Sequence, residues 1–136
     1  MKKILNLKIK MRESFRPFAP SIIRESVIDW FETDYDVPFM LQVYQIKEEK
    51  RKEIPSVTHV NGSGRLQTIT EKQNPLYYKL IREFEKITGV PIALNASFNE
   101  NEPVVCKPAE ALDCFLRTKM DVLVLGDFFI KRIGNK

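Results

Sequence analysis

The feature that most constrains the fold is a capped amphipathic helix followed at once by a short apolar strand. Asn74 and Pro75 form a strong helix start, because a capping side chain precedes proline at the first helical position. A stripe of apolar residues at helical spacing should face the core, and a glycine ends the helix: Leu76, Leu80, Phe84, Ile87 and then Gly89. Residues 90–94 are apolar, as expected for an interior strand. A helix covering such a strand predicts an α/β fold.

The rest of the sequence continues this alternation of helical and short apolar segments. We expect a helix from Pro20 to about Asp34, with Ile23, Val27, Trp30 and Phe31 facing inward. A further helix should begin at Pro108 and bury Ala111, Leu112, Phe115 and Leu116. Strands are predicted at residues 38–46, 66–69, 122–125 and 128–130. Since no linker, repeat or low-complexity tract divides the sequence, we expect one domain over residues 1–136.

Composition excludes several classes of protein. With 43% hydrophobic residues the chain can bury a core, so disorder is not expected. No run approaches the roughly 18 apolar residues of a membrane span, and we expect a cytoplasmic protein with no membrane partner. Two cysteines, Cys106 and Cys114, and one histidine, His59, are too few for a structural zinc site. We therefore predict reduced cysteines and no metal site within the chain.

The basic excess of the sequence lies at its N-terminus. Residues 1–25 contain seven Lys and Arg against two Glu, a local net charge of +5, whereas the whole chain carries +4. A focused basic segment attracts phosphate, nucleotides or a nucleic-acid backbone. The alternative is a solvated lysine-rich tail, which we favour for Lys2 and Lys3.

The first candidate cluster lies in this basic segment. Lys10, Arg12 and Arg16 fall within seven residues, in a stretch whose prolines exclude one continuous helix. In an extended chain Lys10 and Arg12 project to the same side. An ammonium beside a guanidinium suits a phosphate or a carbamoyl phosphate. A solvated basic edge paired with Glu13 is the alternative that spacing alone slightly favours.

The second and third clusters are turns rich in small polar residues. Asn95, Ser97 and Asn99 follow the predicted interior strand, where ligands of open α/β sheets bind, and Ser97 and Asn99 should face the same way. Their alternative is a set of ordinary turn hydrogen bonds. Residues 59–65 contain Gly62 and Gly64 and end at Arg65, without the Gly-Lys-Ser/Thr of a P-loop. A hairpin loop is the safer interpretation of that stretch, and no role is assigned to His59.

Taken together, these segments resemble the C-terminal domain of the carbamoyltransferase family that includes nodulation-protein and antibiotic-tailoring enzymes. The segments that carry the resemblance occur in family order, at residues 10–21, 59–68, 74–78, 94–99, 102–105 and 121–126. The resemblance implies a YrdC-like fold, an open twisted mixed sheet with flanking helices. It also implies the Lys-x-Arg and Ser-x-Asn pairs with which threonylcarbamoyl-adenylate synthases bind nucleotide phosphate and a carbamoyl group.

The chemistry that the resemblance implies has two stages. Carbamoyl phosphate is hydrolysed to carbamate, which attacks the α-phosphate of ATP, bound with Mg²⁺, to give carbamoyladenylate and pyrophosphate. The carbamoyl group then moves to a hydroxyl acceptor in a separate N-terminal actin-like domain or chain. The implied catalytic residues are Lys10, Arg12, Ser97 and Asn99, and the implied cofactor-binding residues are Arg16, Arg65 and Asn95.

The sequence also departs from the family pattern. Asn61 stands where an acid is expected and Ala96 where threonine is usual. The family has further strand and helix ahead of Lys10, so the expected fold is N-terminally truncated and the acceptor site is missing. Two alternatives to an enzyme portion therefore stay open: a non-catalytic nucleotide- or RNA-binding module, and an inactive truncated remnant that would aggregate or form a homodimer.

Overall fold

The computed structural model describes residues 2–10, 13, 16–100 and 102–133. Helices and strands alternate along them, and the strands form small open sheets, which confirms the α/β prediction. The described residues divide into two compact units, one within residues 17–96 and the other within residues 1–16 and 97–136. Among the described residues, no helix has the length and apolar character needed to cross a membrane.

The unit within residues 17–96 is built on a three-stranded mixed sheet. Strand β1 (Ala19–Ile23) lies in the centre, parallel to β4 (Gln67–Ile69) and antiparallel to β5 (Ile92–Asn95). Strands β2 (Tyr44–Gln45) and β3 (Ser63–Gly64) form a separate antiparallel pair. The core is formed by side chains with no exposed surface: Ile22, Ile23, Val27, Phe31, Ile46, Leu66 and Ile81. Most come from β1 and the turns that follow it, so the apolar run after Pro17 organises this unit.

The predicted helix from Pro20 is wrong at its start. Residues 19–23 form β1, and the helical part is confined to a 3₁₀ turn (Arg24–Ser26) and a short helix, α2 (Val27–Trp30). All five residues of β1 are buried. An apolar run buried on both faces has no period that separates strand from helix, which explains the error.

The predicted strand at residues 38–46 is largely wrong. Only Tyr44 and Gln45 form a strand with a partner. Pro38 lacks the N–H that a ladder needs, and Met40 has a positive φ of 55°, which no strand accommodates. The strand predicted at residues 66–69 is confirmed by β4, and a strand at residues 90–94 is confirmed by β5, to within one or two residues. Its predicted interior position is wrong, because β5 is an edge strand with β1 as its one neighbour in the sheet, and of its four residues only Ile92 is buried.

Helix α3 (Pro75–Thr88) has the predicted boundaries, but the predicted buried stripe is wrong. The Asn74 side chain accepts a hydrogen bond from the N–H of Tyr77, and Gly89 ends the helix with a φ of 75°. The four stripe residues are exposed, Leu76 by 79%, Leu80 by 61%, Phe84 by 45% and Ile87 by 84%. Ile81, on another face, is fully buried against Ile23 of β1 and Ile69 of β4.

The other unit combines N-terminal helical turns with elements near the C-terminus. A helical turn α1 (Lys2–Ile4) runs into a π-helical turn (Leu5–Ile9). Helix α4 (Pro108–Arg117) buries Ala111 and Phe115 as predicted, together with Cys114, whereas Leu112 and Leu116 are exposed. Strands β6 (Val122–Leu125) and β7 (Phe128–Lys131) form the predicted closing pair, an antiparallel hairpin with Gly126 at a φ of 57°.

Candidate functional site

Lys10 occupies the centre of the candidate site. It follows the π-helical turn, which its backbone N–H closes by donating to the Leu5 carbonyl oxygen over 2.8 Å. Its side chain is directed inward, and the residue is only 5% exposed. Lysine is rarely so buried unless its ammonium group is hydrogen-bonded. The burial of Lys10 therefore indicates that hydrogen-bond acceptors surround its ammonium group.

The ammonium group of Lys10 meets the Ser-x-Asn turn. Nζ donates to the Asn99 carbonyl oxygen and to Asn99 Oδ1, both over 2.7 Å, and to the carbonyl oxygen of Ser97. Ser97 Oγ lies 3.3 Å from Nζ. These acceptors are uncharged, and they fix the ammonium beside a hydroxyl and a carboxamide. Two clusters that the sequence places 87 residues apart thus converge in one site.

The Ser-x-Asn turn has its own hydrogen bonds. Ser97 Oγ donates to Asn99 Oδ1 over 2.7 Å, and Asn99 Nδ2 donates to the Glu102 carbonyl oxygen over 2.6 Å. The Val105 N–H donates to the Phe98 carbonyl oxygen over 3.0 Å. Ser97 itself is exposed, so the hydroxyl lies where a ligand from solvent can reach it. Ser97 and Asn99 therefore form the ordinary turn hydrogen bonds that were the alternative prediction, and they contact Lys10 as well.

Arg117, at the end of α4, is a residue that sequence reasoning missed. Its guanidinium forms ion pairs with Asp113, Glu100 and Glu102 over 2.8, 2.6 and 3.0 Å. Hydrogen bonds with Asp113 and Glu102 raise the pKa of Arg117 further above its ordinary value. The i, i+4 spacing of Asp113 and Arg117 was a readable signal, but the pairing with Glu100 and Glu102 depends on tertiary structure.

Arg12 and Arg16 are the other two cations of the first candidate cluster. Arg12 lies outside the described residues. Arg16 is exposed and pairs with Glu13 at 3.8 Å, as in the alternative of a solvated basic edge. The Arg16 carbonyl oxygen accepts from Nδ2 of the fully buried Asn6 over 2.8 Å, which ties this end of the segment to the π-helical turn. Asn6 was not singled out from the sequence.

Asn95 belongs to a polar network on the mixed sheet. It ends β5, and its Nδ2 donates to Gln67 Oε1 over 2.6 Å, an oxygen that also accepts from Ser21 Oγ over 3.1 Å. Gln67 Nε2 donates in turn to the Pro38 carbonyl oxygen over 3.0 Å. The network presents an amide at the carboxyl end of β5, where the sequence predicted one. Gln67 was missed, since glutamine in a short strand carries no specific signal.

Residues 59–63 form a tight hydrogen-bonded turn that leads into β3. The backbone N–H of His59 donates to the Ser63 carbonyl oxygen over 2.8 Å, and Gly62 adopts a φ of 80° that favours glycine. Ser63 Oγ donates its one proton to Asn61 Oδ1 over 2.7 Å. His59 Nδ1 lies 3.1 Å from Ser63 Oγ and is therefore the donor in that contact. The Ser63 proton is thereby directed away from His59, which does not activate Ser63 as a nucleophile. Arg65 follows this turn and is exposed.

A cavity of about 580 Å³ lies beside α4. It is lined by residues 102–106 and, from the helix, by Ala109, Glu110, Asp113 and Arg117. Lys10, Ser97 and Asn99 are not among its lining residues, so the Lys10 cluster is a separate feature. The two are joined by Glu102, whose carbonyl oxygen binds Asn99 and whose carboxylate binds Arg117.

The two cysteines should differ strongly in reactivity. Cys106 is exposed, whereas Cys114 is fully buried, and burial, together with the nearby Glu102 carboxylate, raises the pKa of the Cys114 thiol. We expect iodoacetamide to label Cys106 at least about 100-fold faster than Cys114, because only an accessible thiolate reacts. Peptide mapping by mass spectrometry over a time course measures both rates. Comparable rates in the folded protein would contradict this assignment, and denaturant should abolish the difference.

These features define an α/β protein in which a buried lysine meets a Ser-x-Asn turn within one compact unit. The family model described as Carbamoyltransferase C-terminus matches residues 1–132, and the chain belongs to this family. The matched range includes every residue that the sequence singled out as a candidate for the site.

Individual relatives agree with the family match. Nodulation protein NolNO of Sinorhizobium fredii is 45% identical over 132 residues, which cover 94% of this chain and 19% of that protein. Nodulation protein NolO of Bradyrhizobium diazoefficiens is 42% identical over 94% of this chain and 24% of its own length. An uncharacterised protein of Synechocystis is 43% identical over 99% of this chain and 25% of its own length. The chain spans about a quarter or less of these relatives.

Proposed function

We propose that this chain is the carbamoyladenylate-forming portion of an O-carbamoyltransferase. The observation that carries the proposal is the convergence of Lys10 with Ser97 and Asn99. Membership of the carbamoyltransferase C-terminus family supports it. In the proposed reaction, water releases carbamate and inorganic phosphate from carbamoyl phosphate. A carbamate oxygen then attacks the α-phosphorus of ATP, and pyrophosphate leaves as carbamoyladenylate forms.

Each residue of the cluster has a task that suits its chemistry. The Lys10 ammonium attracts the phosphoryl oxygens and offsets the negative charge that gathers around the α-phosphorus. Ser97 Oγ and the Asn99 carboxamide orient those oxygens without adding charge. Arg12 and Arg16 supply further positive charge from the same segment, and Asn95 and Arg65 are assigned to nucleotide binding. Mg²⁺ arrives with the ATP phosphates and neutralises part of their charge.

The transfer step belongs to a separate polypeptide portion in this proposal. The relatives are at least about four times longer than the region they share with this chain, so they have room for an acceptor site. We propose that an N-terminal carbamoyltransferase domain or chain takes up the carbamoyladenylate and transfers its carbamoyl group to a hydroxyl. The leaving group of that step is AMP.

Calorimetric titration with ATP and Mg²⁺, with and without carbamoyl phosphate, tests the proposal. We expect saturable binding by the wild-type chain that weakens about tenfold in Ser97→Ala, since one hydrogen bond to phosphate is lost. The half-buried Ser56, in the other unit, provides the matched control Ser56→Ala, which should bind as wild type does. A folded, monodisperse wild-type sample that does not bind ATP would overturn the proposal.

A nucleic-acid-binding module is the second candidate, favoured by the local net charge of +5 in residues 1–25. Binding through phosphate neutralisation alone weakens steeply with salt and does not distinguish nucleotides. The same titration separates the candidates when ATP is compared with GTP and with a short RNA at two salt concentrations. A preference for RNA, without selectivity for ATP, would favour the second candidate.

A further inference from the structure

We propose that Arg117 is a positioning residue for the Lys10 site, and this inference rests on the proposed function. Arg117 lies in α4 and does not belong to the Ser-x-Asn turn or to the basic segment. It binds the chain just beyond that turn through Glu100 and Glu102. Its effect on a ligand at Lys10 would therefore pass through the positions of Asn99, Glu100 and Glu102.

Arg117 and the carboxylates of Glu100, Glu102 and Asp113 form a clamp in which three nitrogens of the guanidinium each bind one carboxylate. Nη1 donates to Glu100 Oε2 over 2.6 Å, Nη2 to Glu102 Oε1 over 3.0 Å, and Nε to Asp113 Oδ2 over 2.8 Å. Three carboxylates that repel one another are thus brought around one cation. Asp113 belongs to α4, so it anchors the guanidinium to the helix while the two glutamates hold the loop.

The clamp is connected to Lys10 by a short series of hydrogen bonds. Glu102 Oε1 also accepts from the Glu100 N–H over 3.2 Å, so the carboxylate that binds Arg117 also holds the backbone of Glu100. The Glu102 carbonyl oxygen accepts from Asn99 Nδ2 over 2.6 Å, and this orients the Asn99 carboxamide. Asn99 Oδ1 then accepts from Lys10 Nζ over 2.7 Å. Two residues, Glu102 and Asn99, thus connect Arg117 to the ammonium that it helps to position.

A lysine cannot perform this task. Its ammonium is a compact point charge on a flexible stem, whereas the planar guanidinium binds separate carboxylates along fixed directions. Loss of the clamp leaves Glu100, Glu102 and Asp113 without their shared cation. Repulsion among them should open the turn at Glu102, and Asn99 would lose its orientation first.

The test compares Arg117→Gln and Arg117→Lys with a matched control. Arg132 belongs to the same unit and contacts the C-terminal end of α4. Its guanidinium packs 4.9 Å from the Phe115 ring centre, and Nη2 donates over 2.8 Å to the carbonyl oxygen of Thr118, just beyond the helix. Among the described residues, the Arg132 side chain hydrogen-bonds to Phe115, Thr118 and Met120 and not to Ser97, Asn99, Glu100 or Glu102, so Arg132→Gln reports on general loss of stability. All variants are compared with the wild type under native conditions.

The first measurement needs no ligand. Hydrogen exchange, followed by NMR, reports on the backbone N–H of Glu100 and the side-chain N–H groups of Asn99. We expect at least about tenfold faster exchange at Glu100 in both Arg117 variants, with Arg132→Gln close to wild type at this position. Unchanged exchange in Arg117→Gln would overturn the inference, whatever the chain binds.

The second measurement is a double-mutant cycle on ATP affinity. If Arg117 acts through Asn99, Arg117→Gln weakens binding about tenfold, and adding it to Asn99→Ala weakens binding no further. Additive losses would indicate an independent or purely structural effect and would overturn the positioning role. Wild-type protein that fails to bind ATP would count against the proposed function. The exchange measurement would still test whether Arg117 orders Glu100 and Asn99.

Discussion

Replacement of Lys10 with methionine should weaken the binding of ATP with Mg²⁺ by roughly 10- to 100-fold, the range expected for loss of a charge-assisted hydrogen bond to phosphate. Methionine keeps most of the side-chain volume but removes the cation that lies beside Ser97 and Asn99. The turn also loses its donor, since two carbonyl oxygens accept from Nζ. Calorimetric titration measures the affinity, and thermal unfolding verifies that the variant is folded.

Two further variants separate charge from position. Lys119, an exposed lysine of the same unit, provides the control Lys119→Met, which should leave the affinity unchanged. Lys10→Arg keeps the charge but not the compact ammonium that four acceptors surround, so we expect intermediate binding. Equal ATP affinity of the wild type and Lys10→Met would show that Lys10 does not bind the nucleotide. Loss of binding in Lys119→Met as well would point to nonspecific electrostatics.

The convergence at Lys10 was predictable only in part. Sequence spacing singled out Lys10, Ser97 and Asn99 because each belongs to a short polar segment beside proline or an apolar strand. The burial of Lys10 was not predictable, since lysine is usually exposed, and its partners are 87 and 89 residues away. Arg117 escaped for a related reason, because two of its three partners come from a loop whose course is set by tertiary structure.

The fold shows the same division between local and tertiary information. The boundaries of α3 could be predicted, since the Asn74 cap and the Gly89 terminus are local chemistry. The start of β1 could not, because a short run buried on both faces has no distinctive period. Which face of α3 is buried was predicted wrongly. An apolar stripe shows that a helix has an apolar face, but the neighbouring β1 and β4 select the residue that packs.

Helix α3 provides the largest expected effect on stability. Replacing Ile81 with alanine should lower the free energy of unfolding by about 2–5 kcal/mol, the usual cost of truncating a fully buried aliphatic side chain. Ile81 fills the space between Ile23 of β1 and Ile69 of β4, and Tyr77 and Tyr78 pack against this cluster, so the cavity would lie at the junction of helix and sheet. Small domains are stable by only about 5–15 kcal/mol, so the loss is a large fraction of the total.

The adjacent Leu80 is the matched control, since it is 61% exposed and its truncation removes little packing. Leu80→Ala should change the free energy of unfolding by at most about 0.5 kcal/mol. Urea unfolding followed by circular dichroism measures both variants, with the Trp30 fluorescence as a second probe of the same unit. A cost for Leu80→Ala equal to that of Ile81→Ala would mean that the exposed stripe is covered in solution. Sedimentation of the wild type would then show whether a second copy of the chain covers it. Because only folded chains associate through the stripe, the free energy of unfolding would in that case rise with protein concentration.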